Sequence, residues 1–77
     1  ASKVSYDGRH RRLVATFAQE AANVSFAVSN SSGKQMLEGT YSNVRGFSLD
    51  LSMLAPQLYI SKVVADDSTY INKFVNN

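Results

Sequence analysis

Val24-Ser25-Phe26-Ala27-Val28-Ser29-Asn30-Ser31-Ser32-Gly33-Lys34-Gln35-Met36-Leu37-Glu38 is the stretch whose reading decides the fold. Val24, Phe26 and Val28 alternate with Ser25, Ala27 and Ser29, the period-two pattern of a strand with one face on a core. Asn30-Ser31-Ser32-Gly33 then offers four residues of turn chemistry in succession, with Gly33 as the natural site for a positive φ. Gln35 onward resumes an extended run toward Tyr41. The pair reads as a β-hairpin.

The same period continues on both sides. Val4 and Tyr6 predict a short strand ending at Asp7-Gly8, and Leu13 to Phe17 predict another. The alanines and Glu20 between Phe17 and Asn23 lean toward helix by propensity, so this stretch is expected to be a loop or a single helical turn. Downstream, Phe47, Leu49 and Leu51 alternate with Ser48, Asp50 and Ser52. The pattern breaks at Pro56, which cannot donate to a ladder. Leu58 to Val64 is apolar on both faces and is placed centrally in a sheet. Ala65-Asp66-Asp67-Ser68 forms a turn before a closing strand from Thr69 to Val75. About seven short strands joined by polar turns predict one all-β domain over residues 1–77, a small antiparallel Ig-like β-sandwich. Its expected core includes Leu49, Leu51, Leu54 and Tyr59, with Asp50 or Ser52 capping the loop before Pro56.

Composition bounds what such a domain can do. The 77 residues are 44% apolar and 18% charged, with a net charge of +2, which favours a folded core over disorder. A chain this short buries only about 60% of its unfolded surface, so marginal stability is expected. With no cysteine, neither a disulfide nor a thiolate metal site can staple it. No apolar run approaches the length of a membrane-spanning helix. No signal peptide precedes the first strand, which fits a mature product or the end of a longer precursor.

Catalytic chemistry has little material, and no enzyme is expected. His10, the single histidine, sits between arginines in an expected turn and reads as an exposed turn residue rather than a general base. Asp66-Asp67 lacks the alternating oxygen spacing of a calcium loop. The glycines at 8, 33, 39 and 46 form no phosphate cradle, so no cofactor is expected. Around Arg9-His10-Arg11-Arg12, the first twelve residues hold Lys3, Arg9, Arg11 and Arg12 against Asp7, a local net charge of +3. No aromatic residues are interleaved with these charges as a stacking platform would require. A solubilising hairpin edge is therefore the reading, not a nucleic-acid site. Asn23-Val24-Ser25 and Asn30-Ser31-Ser32 match the glycosylation triplet, which matters only in a eukaryotic secretory setting.

Three segments together carry a resemblance. The hairpin from Val24 to Leu37, the stretch Phe47-Ser48-Leu49-Asp50-Leu51-Ser52-Met53-Leu54-Ala55-Pro56-Gln57-Leu58-Tyr59-Ile60, and the ending Lys62-Val63-Val64 with Thr69 to Val75 resemble, in order, the C-terminal sorting domain of the type IX secretion system of Bacteroidetes. Two departures stand out: the family's Tyr-Pro-Asn-Pro-like opening is missing, and Gln57 replaces a glycine before Leu58-Tyr59. Val4 to Phe17, with Tyr6-Asp7-Gly8, is instead similar to the opening of a related family of small secreted Bacteroides-type proteins of unknown function.

The resemblance implies an Ig-like, non-catalytic module that directs a cargo through the outer-membrane export machinery. Its partner would be that machinery or another protein, and its location secreted, periplasmic or outer-membrane associated. The recognition residues are expected in the last strand and terminus, at Lys73, Phe74, Val75, Asn76 and Asn77, where strand addition to a receptor is one mode. The alternative is a free-standing small secreted or periplasmic protein that binds another protein by a sheet edge or by the Asp7–Arg12 hairpin. An Ig-like accessory module of a surface enzyme is a third reading, disfavoured by the absence of Trp.

Overall fold

The computed structural model describes residues 2–77 and is antiparallel β throughout. Five strands follow one another: β1 (Lys3–Asp7), β2 (Arg12–Asn30), β3 (Gln35–Asp50), β4 (Leu58–Ala65) and β5 (Ser68–Val75). The sheet order is β1-β2-β4-β5, with β3 on the other side of β2.

Where about seven strands are expected, five are found, because two pairs of predicted strands are continuous. Leu13–Phe17 and Val24–Val28 are the two halves of β2, and the segments around Tyr41 and Phe47 are the two halves of β3. The stretch Phe17–Asn23 is therefore neither loop nor helical turn. It is a bend within β2. Thr16 pairs with Gly46 and Ala21 with Val44, leaving Phe17, Ala18, Gln19 and Glu20 opposite Arg45. Bulges of this kind kink a strand and sharpen its twist. Asn43 (φ 56°) lies beside the bend on β3.

Side chains from elsewhere supply acceptors for backbone groups in and after the bend. Ala18 N–H donates to Ser2 Oγ (3.0 Å), while Ala22 and Asn23 N–H donate to the two carboxylate oxygens of Asp66 (3.2 and 3.0 Å). These acceptors, together with the flanking ladder bonds, outweigh the few tenths of a kcal/mol by which Ala and Glu prefer helix.

Bending one long hairpin makes both walls of the core. All five strands belong to one sheet, a half-barrel rather than a clear seven-strand sandwich: past the bend β2 pairs with β3 and β4, and before it with β1 and β3. The filling between the walls is Val4, Leu13, Ala15, Phe17, Val24, Val28, Leu51, Tyr59, Val63 and Phe74, all buried. Leu49 and Leu54 are half-buried against it. Tyr41 and Phe47 stack with centroids 4.9 Å apart, and Phe26 lies within 5.7 Å of both. Gly39 faces Phe26 across the ladder, and a Cβ there would lie 2.6 Å from its Cζ. Bare backbone at Gly39 makes the room for the ring.

The turns follow the sequence closely. Gly33 has φ 87°, and the Asn30 side-chain oxygen accepts from Ser32 N–H, Ser32 Oγ–H and Lys34 N–H at 2.8–3.0 Å. Asp50 Oδ1 accepts from Ser52 N–H (2.9 Å) and so caps the loop before Pro56.

Candidate functional site

β4 and β5 pair from Leu58↔Val75 to Ala65↔Ser68, so alternate residues of the hairpin face opposite ways. Tyr59, Ser61, Val63 and Ala65 of β4 point into the core and meet Phe74, Asn72 and Tyr70 of β5. The other face carries Ile60 opposite Lys73, Lys62 opposite Ile71, and Leu58 opposite Val75. It is a checkerboard of apolar side chains and cations, with the isoleucines on one diagonal and the lysines on the other. Ile71 is 68% exposed, Val75 50% and Ile60 39%.

The same face is hollowed along β2. Ser25, Ala27 and Ser29 are small and lie between longer side chains of β3 and β4. Three depressions follow one another there, of about 350, 320 and 430 Å³. The largest lies at the Gly33 end, where Ala27 and Ser29 form a floor beside Ile60, Lys62 and Ile71. Neither Lys62 nor Lys73 forms an ion pair among the described residues.

Of the five residues expected to carry recognition, the fold divides three from two. Lys73, Val75 and Asn77 are exposed, the first two on the checkerboard; Phe74 and Asn76 are buried. Phe74 stacks on Tyr6 with centroids 4.5 Å apart. Asn76 is 0% exposed and works as a polar lock. Its Oδ1 accepts from Tyr6 Oη–H (2.8 Å) and Arg11 Nε–H (3.3 Å). Its Nδ2 donates to the carbonyls of Leu51 (3.0 Å) and Leu54 (3.3 Å), and its own N–H donates to Gln57 (3.0 Å). Asn72 Nδ2 donates to Val4 O (3.1 Å) and holds β5 to β1 nearby.

The lock was absent from the sequence reading although a signal existed. Tyr70, Asn72, Phe74 and Asn76 share one parity, and that parity points inward. The lock also divides the basic cluster. Arg11, at φ 53°, turns its guanidinium inward and donates from Nη2 to Leu54 O (2.9 Å). Arg9, His10 and Arg12 remain at the surface. Asp7 organises their turn, accepting from Arg9 N–H (3.0 Å) with His10 Nδ1 2.9 Å from its other oxygen. The hydrogen bond with His10, seconded by that from Arg9 N–H, holds the Asp7 carboxyl below its ordinary value. Hydrogen bonds from Ser52, with Arg12 and Arg11 nearby, lower Asp50 in the same way.

Asp66 has its carboxylate engaged by backbone N–H groups, as described above. Among the described residues, no three His, Cys, Asp or Glu side chains gather as a metal site would need, and no helix is long and apolar enough to cross a membrane. A comparison with known protein families finds no family model that matches the chain, and a comparison with characterised proteins finds no match.

Proposed function

We propose that this chain is a non-catalytic, Ig-like recognition module of the secretion-sorting kind, which guides a cargo through type IX outer-membrane export machinery. The observation that carries the reading is the gathering of Ile60, Ile71 and Val75 on one open face of the last hairpin, among unpaired lysines. An apolar face left outside a small core is characteristic of a surface meant to meet a partner. The order of parts supports the same reading: a Gly33-Lys34 hairpin, an Asp50-Leu51-Ser52 cap and a closing hairpin. The all-antiparallel sheet, curled over its core by the bent hairpin, supports the Ig-like relation. The module would act at the periplasmic side of the outer membrane or at the cell surface.

The test is a fusion of residues 1–77 to the carboxyl end of a reporter in a host that has this machinery. Surface display of the reporter, lost in the Ile60→Ser/Ile71→Ser variant with its fold intact by circular dichroism, is the expected result. Retention of the reporter inside the cell with the unaltered domain would sink the proposal.

The β1–β2 hairpin favours a second reading. Lys3↔Thr16 to Asp7↔Arg12 pair around the Tyr6-Asp7-Gly8 turn, the feature similar to the small secreted proteins. A free-standing protein-binding domain would be found whole by intact mass spectrometry of secreted material, whereas a sorting domain would be found cut from its cargo.

A further inference from the structure

The proposed reading leaves open what the partner presents to this face, and the face itself narrows the choice. The depression of about 430 Å³ at the Gly33 end has a size suited to one or two side chains of a bound segment. Its apolar wall is Ile60 and Ile71, and its floor is Ala27 and Ser29. The charges on the side of its apolar wall are lysines. Lys62 lines it, and Lys73 stands opposite Ile60 on the adjoining strand. Neither lysine is neutralised by an ion pair among the described residues. Glu38 of β3 stands opposite Ala27, in the same cross-strand row as Lys62, and lines the middle depression with it, leaving two cations against one anion around the floor.

We infer that this depression takes an acidic peptide segment of a partner protein, seating an apolar side chain between Ile60 and Ile71 and carboxylates against Lys62 and Lys73. The inference rests on the recognition reading above and adds the chemistry of the partner. Charge complementarity of this kind chiefly sets specificity and association rate. Two other occupants fit less well. A second copy meeting this face across a two-fold axis would bring the same patch against itself, lysine toward lysine. An anionic membrane is engaged by protruding aromatic and leucine side chains over a broad basic surface, whereas here the aromatic rings point inward and the face offers three β-branched aliphatic side chains, two lysines and Glu38.

The experiment is a backbone-amide NMR titration of the whole 77-residue chain. The probe is a capped heptapeptide with alternating Glu and Leu, closed by Pro at both ends against self-pairing, and its Lys-for-Glu counterpart is the control. Expected are shifts confined to the amides of residues 27–29, 60–62 and 71–73. The affinity should fall several-fold between about 0.05 and about 0.3 M salt. Lys62→Glu/Lys73→Glu should weaken binding of the acidic peptide about tenfold or more and create binding of the basic one. Both lysines are exposed, so the variant keeps its fold, which its amide spectrum verifies. Binding of the acidic peptide undiminished by charge reversal overturns the inference. So does capture by phosphatidylglycerol vesicles in preference to peptide, or self-association through this face in sedimentation.

In the display assay the two ideas separate. Loss with Ile60→Ser/Ile71→Ser but full display with the charge-reversed chain removes the acidic partner and leaves the sorting reading standing. Full display with both variants removes the face from recognition altogether.

Discussion

The inner and outer faces of the β4–β5 hairpin are made from alternate residues of the same two strands, yet they obey opposite rules. Inside, Tyr59 and Val63 are sealed from solvent and meet Phe74 and Tyr70 across the ladder. Outside, Ile60 and Ile71 stand among lysines with nothing over them. A side chain one position away thus changes from a determinant of stability to a surface available for contact. The difference teaches where selection for folding ends in a domain this small.

The largest expected effect sets the faces against each other. Tyr59→Ala removes a fully buried ring and the hydrogen bond its hydroxyl donates to Ala55 O (2.8 Å), a loss of about 3–5 kcal/mol. A domain of 77 residues holds a total of roughly 4–12 kcal/mol, so this variant should forfeit a large share of its stability. Ile60→Ala, one residue along, should cost less than about 1 kcal/mol. Urea denaturation of both measures the contrast, and equal losses would break it.

Next in size is the polar lock at the end of the inner face. Asn76→Ala takes one of two donors from each of the carbonyls of Leu51 and Leu54 and removes the acceptor of Tyr6 Oη–H and Arg11 Nε–H, with an expected cost of about 1–3 kcal/mol. Asn77→Ala, exposed, should leave the urea midpoint unchanged. A smaller effect of opposite sign is expected at Ser61. Its Oγ is buried with no hydrogen-bond partner among the described residues. Ser61→Ala should therefore raise stability, by up to about 1 kcal/mol, as the one inward position of β4 where losing a polar atom helps. A fall in the urea midpoint would show that the hydroxyl has a partner in solution.

The smallest effect is that of pH on the Asp7 turn. A carboxyl held below its ordinary value of 3.8 contributes stability that is in place above that value and is lost as pH falls through the lower, folded one. The Arg9 amide resonance should show a step below about pH 4, and that step should be missing in Asp7→Asn. The core amides of β4 should stay fixed through that step, since the turn is exposed and shares no buried group with them.

Much of this was legible in the sequence. The alternation at Val24–Val28 and at Phe47–Leu51 predicted their inward and outward sets, and Asn30–Gly33 and Asp66-Asp67 predicted their turns. The bend was not legible, because Phe17–Asn23 lacks alternation and carries helix-favouring residues. What makes it a strand is remote: the Asp66 carboxylate, from the turn between β4 and β5, engages N–H groups of Ala22 and Asn23. The candidate recognition face was half legible. Period two extends through Asn76 and separates Lys73 and Val75 from Phe74 and Asn76, but the hollow along Ser25, Ala27 and Ser29 exists only once β3 and β4 flank it. Likewise, nothing local distinguishes Arg11 from Arg9 or Arg12; the difference lies in the partner 65 residues away.

That bent hairpin also implies an order of events. β2 and β3 meet through a short turn, and zipping outward from Gly33 closes small loops first, at modest entropic cost. Passing the bend, the same zipper brings the second wall over the first before either end of the chain is needed. The bond from Tyr6 to Asn76, spanning 70 residues, closes a loop nearly as long as the protein and belongs at the finish. Substitutions near Val24 and Val28 should therefore slow folding, while those at Tyr6 or Asn76 should mainly speed unfolding. Rapid-mixing kinetics would read the split. The hairpin that divides the molecule into walls is, in time, its starting point, and the buried amide near the terminus is its clasp.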